Sequence, residues 1–413
     1  MRVSVVVLGD LERSPRMVNH ALALAARGVN VDLIGYAESM GSTPVTDPLI
    51  HTHTLPPPPV MRSTRSWWVA GGLRRIASQA FALLRVLVRV PRPDVILVQT
   101  PPAVPTLWVA RLAARLRSAR LVIDWHNLTY TVLALRVGSR HPLVRLMQRY
   151  ERRAGRRHDG HLAVSQGLAD ALARRWNIRA QVVRDRAGPR VTAHSPLDRS
   201  TVVARYFAGC VTSAEPSALI VVPTSWSLDD DFEMLLAAVE RCEMRIAREN
   251  AIAPEEPWPV VLVLLTGHGP QQVTYMPRVQ ARRGRRVHVR ASWLPAEDYP
   301  RLLASADLGI SIHRSSSGLD LPMKICDLFA AGVPVCALDY GPCLSELVQH
   351  DENGLLFDSA ETLGDQIVEL TRNLPARGTR LTRLTRGACA SGAPVPQHEW
   401  MQDAWPILSG EGR

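Results

Sequence analysis

Short, unbroken apolar runs alternate along this chain with longer stretches whose apolar residues recur at helical spacing. Continuous apolar runs mark strands buried on both faces of a parallel sheet, and the stretches between them mark covering helices. Val3 to Leu8 is the first such run. Ser14-Pro15 then supplies a helix start with proline at the first helical position, and Gly28 ends that helix. Val29 to Ile34 reads as a second strand, followed by a loop through Pro56-Pro57-Pro58-Pro59; Val95 to Val98, Leu121 to Ile123 and His161 to Val164 continue the series. The pattern then restarts. Ala218 to Val222, Val260 to Leu265, Val287 to Arg290, Leu308 to Ile312, Val333 to Leu338 and Gly354 to Phe357 read as strands, with a helix over Asp230 to Arg245 and others between. Two successive series predict an α/β protein of two doubly wound domains, 1–205 and 206–395, joined near 190–215. Residues 376–397 read as a low-complexity loop leading to a last helix near Glu399 to Leu408, in a segment 396–413 expected to pack back on the first domain.

Composition narrows the possibilities. A length of 413 residues suits two domains. Six cysteines without a C-x-x-C pair argue against a zinc site or a disulfide framework and fit a reducing compartment. The opening MRVSVVVLGD is too short for a signal sequence or a membrane span. The net charge is +11, and Lys324 is the sole lysine. Arginines crowd 62–92, 111–120 and 136–157, so the first half is basic, which suits an anionic membrane surface or a phosphate-bearing substrate. Nucleic acid is not expected, because no reader motif accompanies the charge.

In such folds, ligands bind at the carboxyl ends of the strands, so chemistry is sought in the loops there. Gly267-His268-Gly269-Pro270 follows a strand directly, and its glycines either let a ligand approach the backbone or simply form a turn. No G-x-G-x-x-G follows the first strand, which weighs against a dinucleotide enzyme. The sharper signal is IHRSSSGLDLPMKICDLFAAGVPV, residues 312–335. Ser315, Ser316, Ser317 and Gly318 place small donors where a helix begins, as a diphosphate requires. Lys324 and Asp327, three apart, share a helix face, where the ammonium suits a phosphate and the carboxylate a ribose diol; the alternative is a surface ion pair. One retained lysine in a chain built on arginine favours the ligand reading.

The segment P-M-K-x-x-D-x-F-x-x-G-x-P-V is similar to the donor-site segment of GT-B glycosyltransferases. VVVLGDLERSPRM, DWHNLTY (124–130), TSWSLDDDFEMLLAAVE (224–240), WLPAEDYPRLLASADLGISIHRSSSGLDLPMK (293–324) and HDENGLLF (350–357) together resemble the chitobiosyldiphosphodolichol β-mannosyltransferases, glycosyltransferase family 33, over nearly the whole chain. The resemblance implies a GT-B fold with two domains facing across a cleft. It implies inverting transfer of mannose from GDP-mannose to a GlcNAc₂ carried on polyprenyl or dolichyl diphosphate, giving a β-1,4 linkage. Gly267, Gly269, Ser315, Ser316, Ser317, Lys324 and Asp327 would bind the donor, with Thr224, Ser225 and Trp226 after the domain's first strand. The chain departs from the family in three places. It has no membrane-spanning helix at its start, Glu12 replaces a small residue, and Asp185-Arg186-Ala187-Gly188-Pro189 stands where the family has Lys-Pro.

Inversion by single displacement needs a base for the attacking hydroxyl. Asp10, Glu12, His20, Asp124 and His126 are candidates in the first domain, with Asp10 and His126 preferred because each follows a strand. Arg13 and Arg16, flanking Ser14, are candidates for the acceptor diphosphate. Asp229-Asp230-Asp231 reads as helix capping rather than a metal motif, so no metal is expected. Trp67 to Arg89 is an amphipathic helix, with Leu73, Ile76, Ala77, Ala80, Leu84, Leu87 and Val88 in one arc. It is suited either to a membrane interface or to its own sheet. The expected setting is the cytoplasmic face of a membrane, beside other transferases of the same pathway. The competing readings are a GT-B enzyme of another nucleotide sugar or acceptor, and a catalytically silent scaffold.

Overall fold

The computed structural model describes residues 1–37, 46–57, 68–156, 158–188, 191, 195–212, 215–253, 258–295, 297–393 and 397–411, without the side chains of 68–70 and 397–401. Pro58, Pro59, Trp67 and Pro189, singled out above, lie outside them. The chain divides into two compact units, Met1–Asp185 with Val395–Arg413, and Arg186–Pro394.

The first unit runs β1 (Arg2–Asp10), α1 (Pro15–Ala25), β2 (Asn30–Tyr36), β3 (Ile50–Thr54), α2 (Trp68–Arg89), β4 (Val95–Thr100), α3 (Thr106–Arg117), β5 (Arg120–Trp125), α4 (Thr129–Val137), α5 (Pro142–Gly155), β6 (Gly160–Ala163), α6 (Gln166–Trp176) and β7 (Gln181–Val182). Among the described residues its sheet has the order β3-β2-β1-β4-β5-β6-β7, and every pairing is parallel. Apolar residues of β1, β2, β4 and β5 fill both faces, as their continuous runs require. Strand β3, IHTHT, escapes an apolar-run search because its polar residues lie at the sheet edge.

The second unit runs α7 (Arg199–Tyr206), β8 (Ser217–Pro223), α8 (Phe232–Ile252), β9 (Val260–Thr266), α9 (Gln272–Ala281), β10 (Val287–Ser292), α10 (Asp298–Ser305), β11 (Leu308–Ser311), α11 (Met323–Ala330), β12 (Val335–Leu338), β13 (Gly354–Phe357), α12 (Ala360–Thr371) and α13 (Thr379–Ser391). Its described strands pair in parallel in the order β10-β9-β8-β11-β12-β13. Helix α7 lies upstream of residue 206 yet belongs to this unit, because Val202, Val203 and Phe207 are buried in its core with Leu219 and Leu262. The final helix, α14 (Gln397–Ser409), packs in the first unit, where Arg120 donates to the carbonyls of Ile407 (2.7 Å) and Leu408 (2.9 Å).

One expectation needs correction. The 376–397 segment holds helix α13 rather than a loop. Leu381, Leu384 and Ala388 form a buried stripe at helical spacing, disguised by repeated Thr and Arg on the other faces. Helix α2 has a buried face of Ala80, Leu83 and Leu87, but Leu73, Phe81 and Val88 face outward, so the apolar arc straddles the boundary. Among the described residues, no helix is long and apolar enough to cross a membrane.

Candidate active site

Strand order in the second unit reverses between β8 and β11, and a doubly wound sheet binds ligands at such a crevice. The loops leaving these two strands are stitched together. The Asp231 N–H donates to the Ile312 carbonyl (2.9 Å) and the Arg314 N–H to the Asp229 carbonyl (2.7 Å). Of the three consecutive aspartates, Asp231 caps α8, accepting from the Met234 N–H at 3.1 Å. The Asp230 carboxylate accepts from the N–H groups of Ser225 (2.9 Å) and Ser227 (3.3 Å), and its other oxygen lies 3.6 Å from Lys324 Nζ. Asp229 pairs with His313 Nδ1 at 3.3 Å. Each carboxylate therefore has its own protein partner.

Lys324 is the second residue of α11 and so lies in the first turn, at the positive end of the helix dipole. Its side chain is 26% exposed. Burial lowers its pKa, against the pull of Asp230. A phosphate arriving there meets a cation whose desolvation has already been met by the fold.

The Ser/Gly loop leading to α11 is held from below by His313. That imidazole lies between Asp229 and Asp320, with Nε2 3.0 Å from Asp320. Burial disfavours its charged form, but the hydrogen bonds to Asp229 and Asp320 overcome this and push its pKa up to about 10. Asp320 also accepts from the Ser315 hydroxyl, and its carbonyl accepts from the Tyr340 hydroxyl at 2.7 Å. Ser315 and Ser317 in turn accept from the N–H groups of Gly318 (2.8 Å) and Leu319 (3.1 Å). These two hydroxyls thus shape the loop itself. Gly318 has φ +72°, a conformation that favours glycine.

The remaining donor-site candidates divide by exposure. Gly267 (φ +92°) and Gly269 are glycine for packing: a Cβ would meet the Thr224 carbonyl oxygen at 1.9 Å in the first case and that of Ser225 at 2.0 Å in the second. Their role is to seat the loop after β9 on the loop after β8. Thr224 is buried, donating its hydroxyl to the Thr266 carbonyl at 2.9 Å. Trp226 is fully buried, its ring stacked on Phe232 with centroids 4.5 Å apart, so it has no side-chain surface to offer a donor. Ser225 alone of the three is exposed.

Asp327 forms no ion pair with Lys324, whose carboxylate neighbour is Asp230, so the surface-pair alternative does not hold. Its carboxylate accepts from the Tyr299 hydroxyl (3.3 Å) and the Gly188 N–H (3.4 Å). Burial pushes its pKa up to about 7, outweighing those hydrogen bonds. Gly188 belongs to the segment that departs from the family's Lys-Pro.

In the first unit, Arg16 is not on the surface. It is fully buried, bonded twice to Asp124 at 2.7 Å and further to Asp185 (2.8 Å) and the Val183 carbonyl (2.6 Å). Burial opposes ionisation of Asp124, yet the Arg16 guanidinium holds it well below the usual carboxylate range. Asp124 also meets His20 Nε2 at 3.2 Å and lies 3.7 Å from His126 Nε2. The Arg16 guanidinium thereby ties the start of α1 to the end of β5 and to the segment after β7. Asp10, at the end of β1, accepts from the Glu12 N–H at 3.0 Å and lies 3.9 Å from Arg13 Nε, whose side chain is exposed.

Sequence reasoning missed several groups. His313, Asp320 and Tyr340 were hidden because their roles depend on one another. Glu151 of α5 is fully buried and accepts from the Thr129 (2.8 Å) and Tyr130 (3.3 Å) N–H groups, so it caps α4 from a neighbouring helix. Burial pushes its pKa up to about 7. His268 and Trp293, after β9 and β10, meet edge to face with centroids 6.0 Å apart. Both are exposed, and they offer aromatic faces at the carboxyl edge of the sheet.

Comparison with known proteins fits this geometry. Residues 14–184 match a glycosyl transferase 4-like domain, and 228–373 match the glycosyl transferases group 1. The human chitobiosyldiphosphodolichol beta-mannosyltransferase is 35% identical over 98% of this chain and 92% of its own. An Arabidopsis thaliana protein named UDP-glycosyltransferase TURAN is 36% identical over 99% of this chain and 97% of its own. Among solved structures, a sucrose-phosphate synthase from Thermosynechococcus elongatus superposes with a TM-score of 0.66 at 15% identity, covering the whole of both chains. With two parallel doubly wound sheets and relatives matching it end to end, the chain belongs to the chitobiosyldiphosphodolichol beta-mannosyltransferase family and is a hexosyltransferase of the GT-B fold.

Proposed function

We propose that this enzyme moves mannose from GDP-mannose, with inversion, to a GlcNAc₂ unit carried on a polyprenyl or dolichyl diphosphate, forming a β-1,4 bond. The observation that carries the reading is Lys324. Its ammonium, partly desolvated and held 3.6 Å from Asp230, stands in the first turn of α11 at the end of the His313-braced Ser/Gly loop. An ammonium beside a helix N-terminus is matched to a departing diphosphate. The names of the relatives supply mannose and the lipid diphosphate.

In the reaction, the acceptor oxygen bonds to the anomeric carbon as the bond from that carbon to the β-phosphate oxygen breaks. GDP leaves with the bonding pair, and Asp10 takes the proton of the attacking hydroxyl. Lys324 and the α11 N-terminus balance the charge that develops on the β-phosphate. Asp229, Asp230 and Asp231 are each engaged with protein partners, so in this reading the charge is balanced without a metal ion. Asp327 serves the ribose, Ser225 and Ser316 line the diphosphate, and Arg13 meets the acceptor diphosphate. The enzyme works at the cytoplasmic face of a membrane, held peripherally.

A second donor has one specific observation behind it, the name UDP-glycosyltransferase of the Arabidopsis relative. Isothermal titration of the purified enzyme with GDP-mannose, UDP-glucose and UDP-GlcNAc separates the two. Tighter binding of GDP-mannose supports the reading, and preference for a UDP-sugar overturns it.

A further inference from the structure

Helices α2, α3 and α5 of the first unit carry apolar residues on the face that the sheet does not need. Helix α3 shows this best. Leu107, Ala110 and Ala114 are buried, while Trp108, Leu112 and Leu116, spaced four apart, are 43%, 37% and 64% exposed. On α2, Leu73 and Phe81 stand out in the same way, and on α5 Leu146 does. Helix α3 packs against both α2 and α5, so the three outward faces are neighbours. A run of large exposed side chains across adjacent helices marks a surface that meets an apolar phase.

The charge on these helices is one-sided. Together they hold eleven arginines and a single acidic residue, Glu151, which is fully buried. Arg85, Arg115, Arg145 and Arg149 are exposed and form no ion pair among the described residues. In the second unit some exposed arginines do have acidic partners, Arg245 with Asp365 at 2.5 Å, Arg278 with Glu233 at 2.5 Å and Arg380 with Glu369 at 2.6 Å, while others such as Arg248 and Arg301 form no ion pair among the described residues. What sets α2, α3 and α5 apart is that their only carboxylate is buried. Arginines left unpaired beside exposed Trp, Phe and Leu match a surface of anionic headgroups over hydrocarbon, where each side chain finds its own layer.

We infer that the joint outward face of α2, α3 and α5 is a docking surface for an anionic lipid bilayer, built from three helices rather than from the single amphipathic segment at 68–89. The inference deepens the lipid-linked acceptor reading and stands on a separate test. Helix α3 begins directly after the loop that leaves β4, at the same carboxyl edge of the sheet as Asp10 and His126. Docking on this face therefore brings that edge close to the headgroup layer, where a lipid diphosphate presents its sugar.

The test is co-sedimentation of the full chain with vesicles of phosphatidylcholine containing 30% phosphatidylglycerol, against pure phosphatidylcholine, at low and high salt. The wild type is expected to bind the anionic vesicles and to be released by salt. Leu112→Asp with Leu116→Asp should weaken binding by about tenfold or more. Each of Arg115→Glu and Arg149→Glu should weaken it by at least about fivefold, the worth of one cation at such a surface. Val273→Asp, at an 86% exposed site in the second unit, should change nothing. Thermal unfolding confirms that each variant is folded. Equal binding by the Leu112/Leu116 variant, or equal binding to neutral vesicles, overturns the inference. So does a dimer, seen by sedimentation equilibrium, that these substitutions dissociate while the wild type ignores vesicles. Mannose transfer to a short-chain, water-soluble acceptor reports on the catalytic reading alone, so failure of one leaves the other standing.

Discussion

The guanidinium of Arg16 and the carboxylate of Asp124 face each other through two hydrogen bonds of 2.7 Å, with neither side chain exposed to solvent. This pairing converts a candidate acceptor ligand into the keystone of the first unit's carboxyl edge. Removing one partner of a buried pair leaves the other charge uncompensated. Arg16→Met is therefore expected to lower unfolding stability by about 3–5 kcal/mol, measured by urea denaturation. A folded variant of unchanged stability with a selectively raised acceptor KM would return Arg16 to the acceptor.

Lys324→Ala should weaken GDP-mannose binding by roughly 1.5–3 kcal/mol, the range of a lost charge-assisted hydrogen bond. Asp230 keeps the Ser225 and Ser227 N–H groups in this variant, so the loop retains its shape. Isothermal titration measures the change, and an unchanged affinity would remove Lys324 from the donor site.

His313 gives a pH signature. Its folded pKa of about 10 lies above the ordinary histidine value of 6.5. A raised histidine contributes stability that is complete below the unfolded value and is lost as pH rises through the folded one. His313→Gln should cost about 3 kcal/mol at pH 6, and the gap to the wild type should close between pH 6.5 and 10. Thermal unfolding across that range tests this; a gap independent of pH would mean that His313 acts by packing rather than by charge.

The legible and hidden parts of the molecule separate on physical grounds. Runs such as Val3 to Leu8 and Val260 to Leu265 announce strands because a parallel sheet needs apolar residues on both faces. The Ser/Gly loop and the helix start at Lys324 are legible as local structure because a turn and a helix start are written in adjacent residues. What stayed hidden depends on residues far apart in sequence. Arg16 reads as surface until Asp124 and Asp185 surround it, and Trp226 reads as a loop residue until Phe232 stacks on it. Gly267 and Gly269 looked like ligand-facing glycines, yet the carbonyls of Thr224 and Ser225 explain them. Helix α13 was masked by its Thr-Arg repetition.

The choice of base rests on Asp10 against His126. Asp10→Asn should lower kcat by about 10²–10⁴-fold with donor affinity intact, the usual loss for a general base. His126, 3.7 Å from Asp124, is expected to orient the acceptor, so His126→Ala should lower kcat less and raise acceptor KM. Steady-state kinetics of both variants decide it. Near-normal kcat in Asp10→Asn with abolition in His126→Ala would reverse the assignment.

The most direct test of the account is the product. Purified enzyme is incubated with GDP-mannose and a GlcNAc₂-diphospho-lipid, and the extended glycan is then treated separately with β-mannosidase and α-mannosidase. The account predicts a product one hexose larger that β-mannosidase alone trims back to GlcNAc₂. A product resistant to β-mannosidase and cleaved by α-mannosidase, or extension seen only with a UDP-sugar, would contradict it.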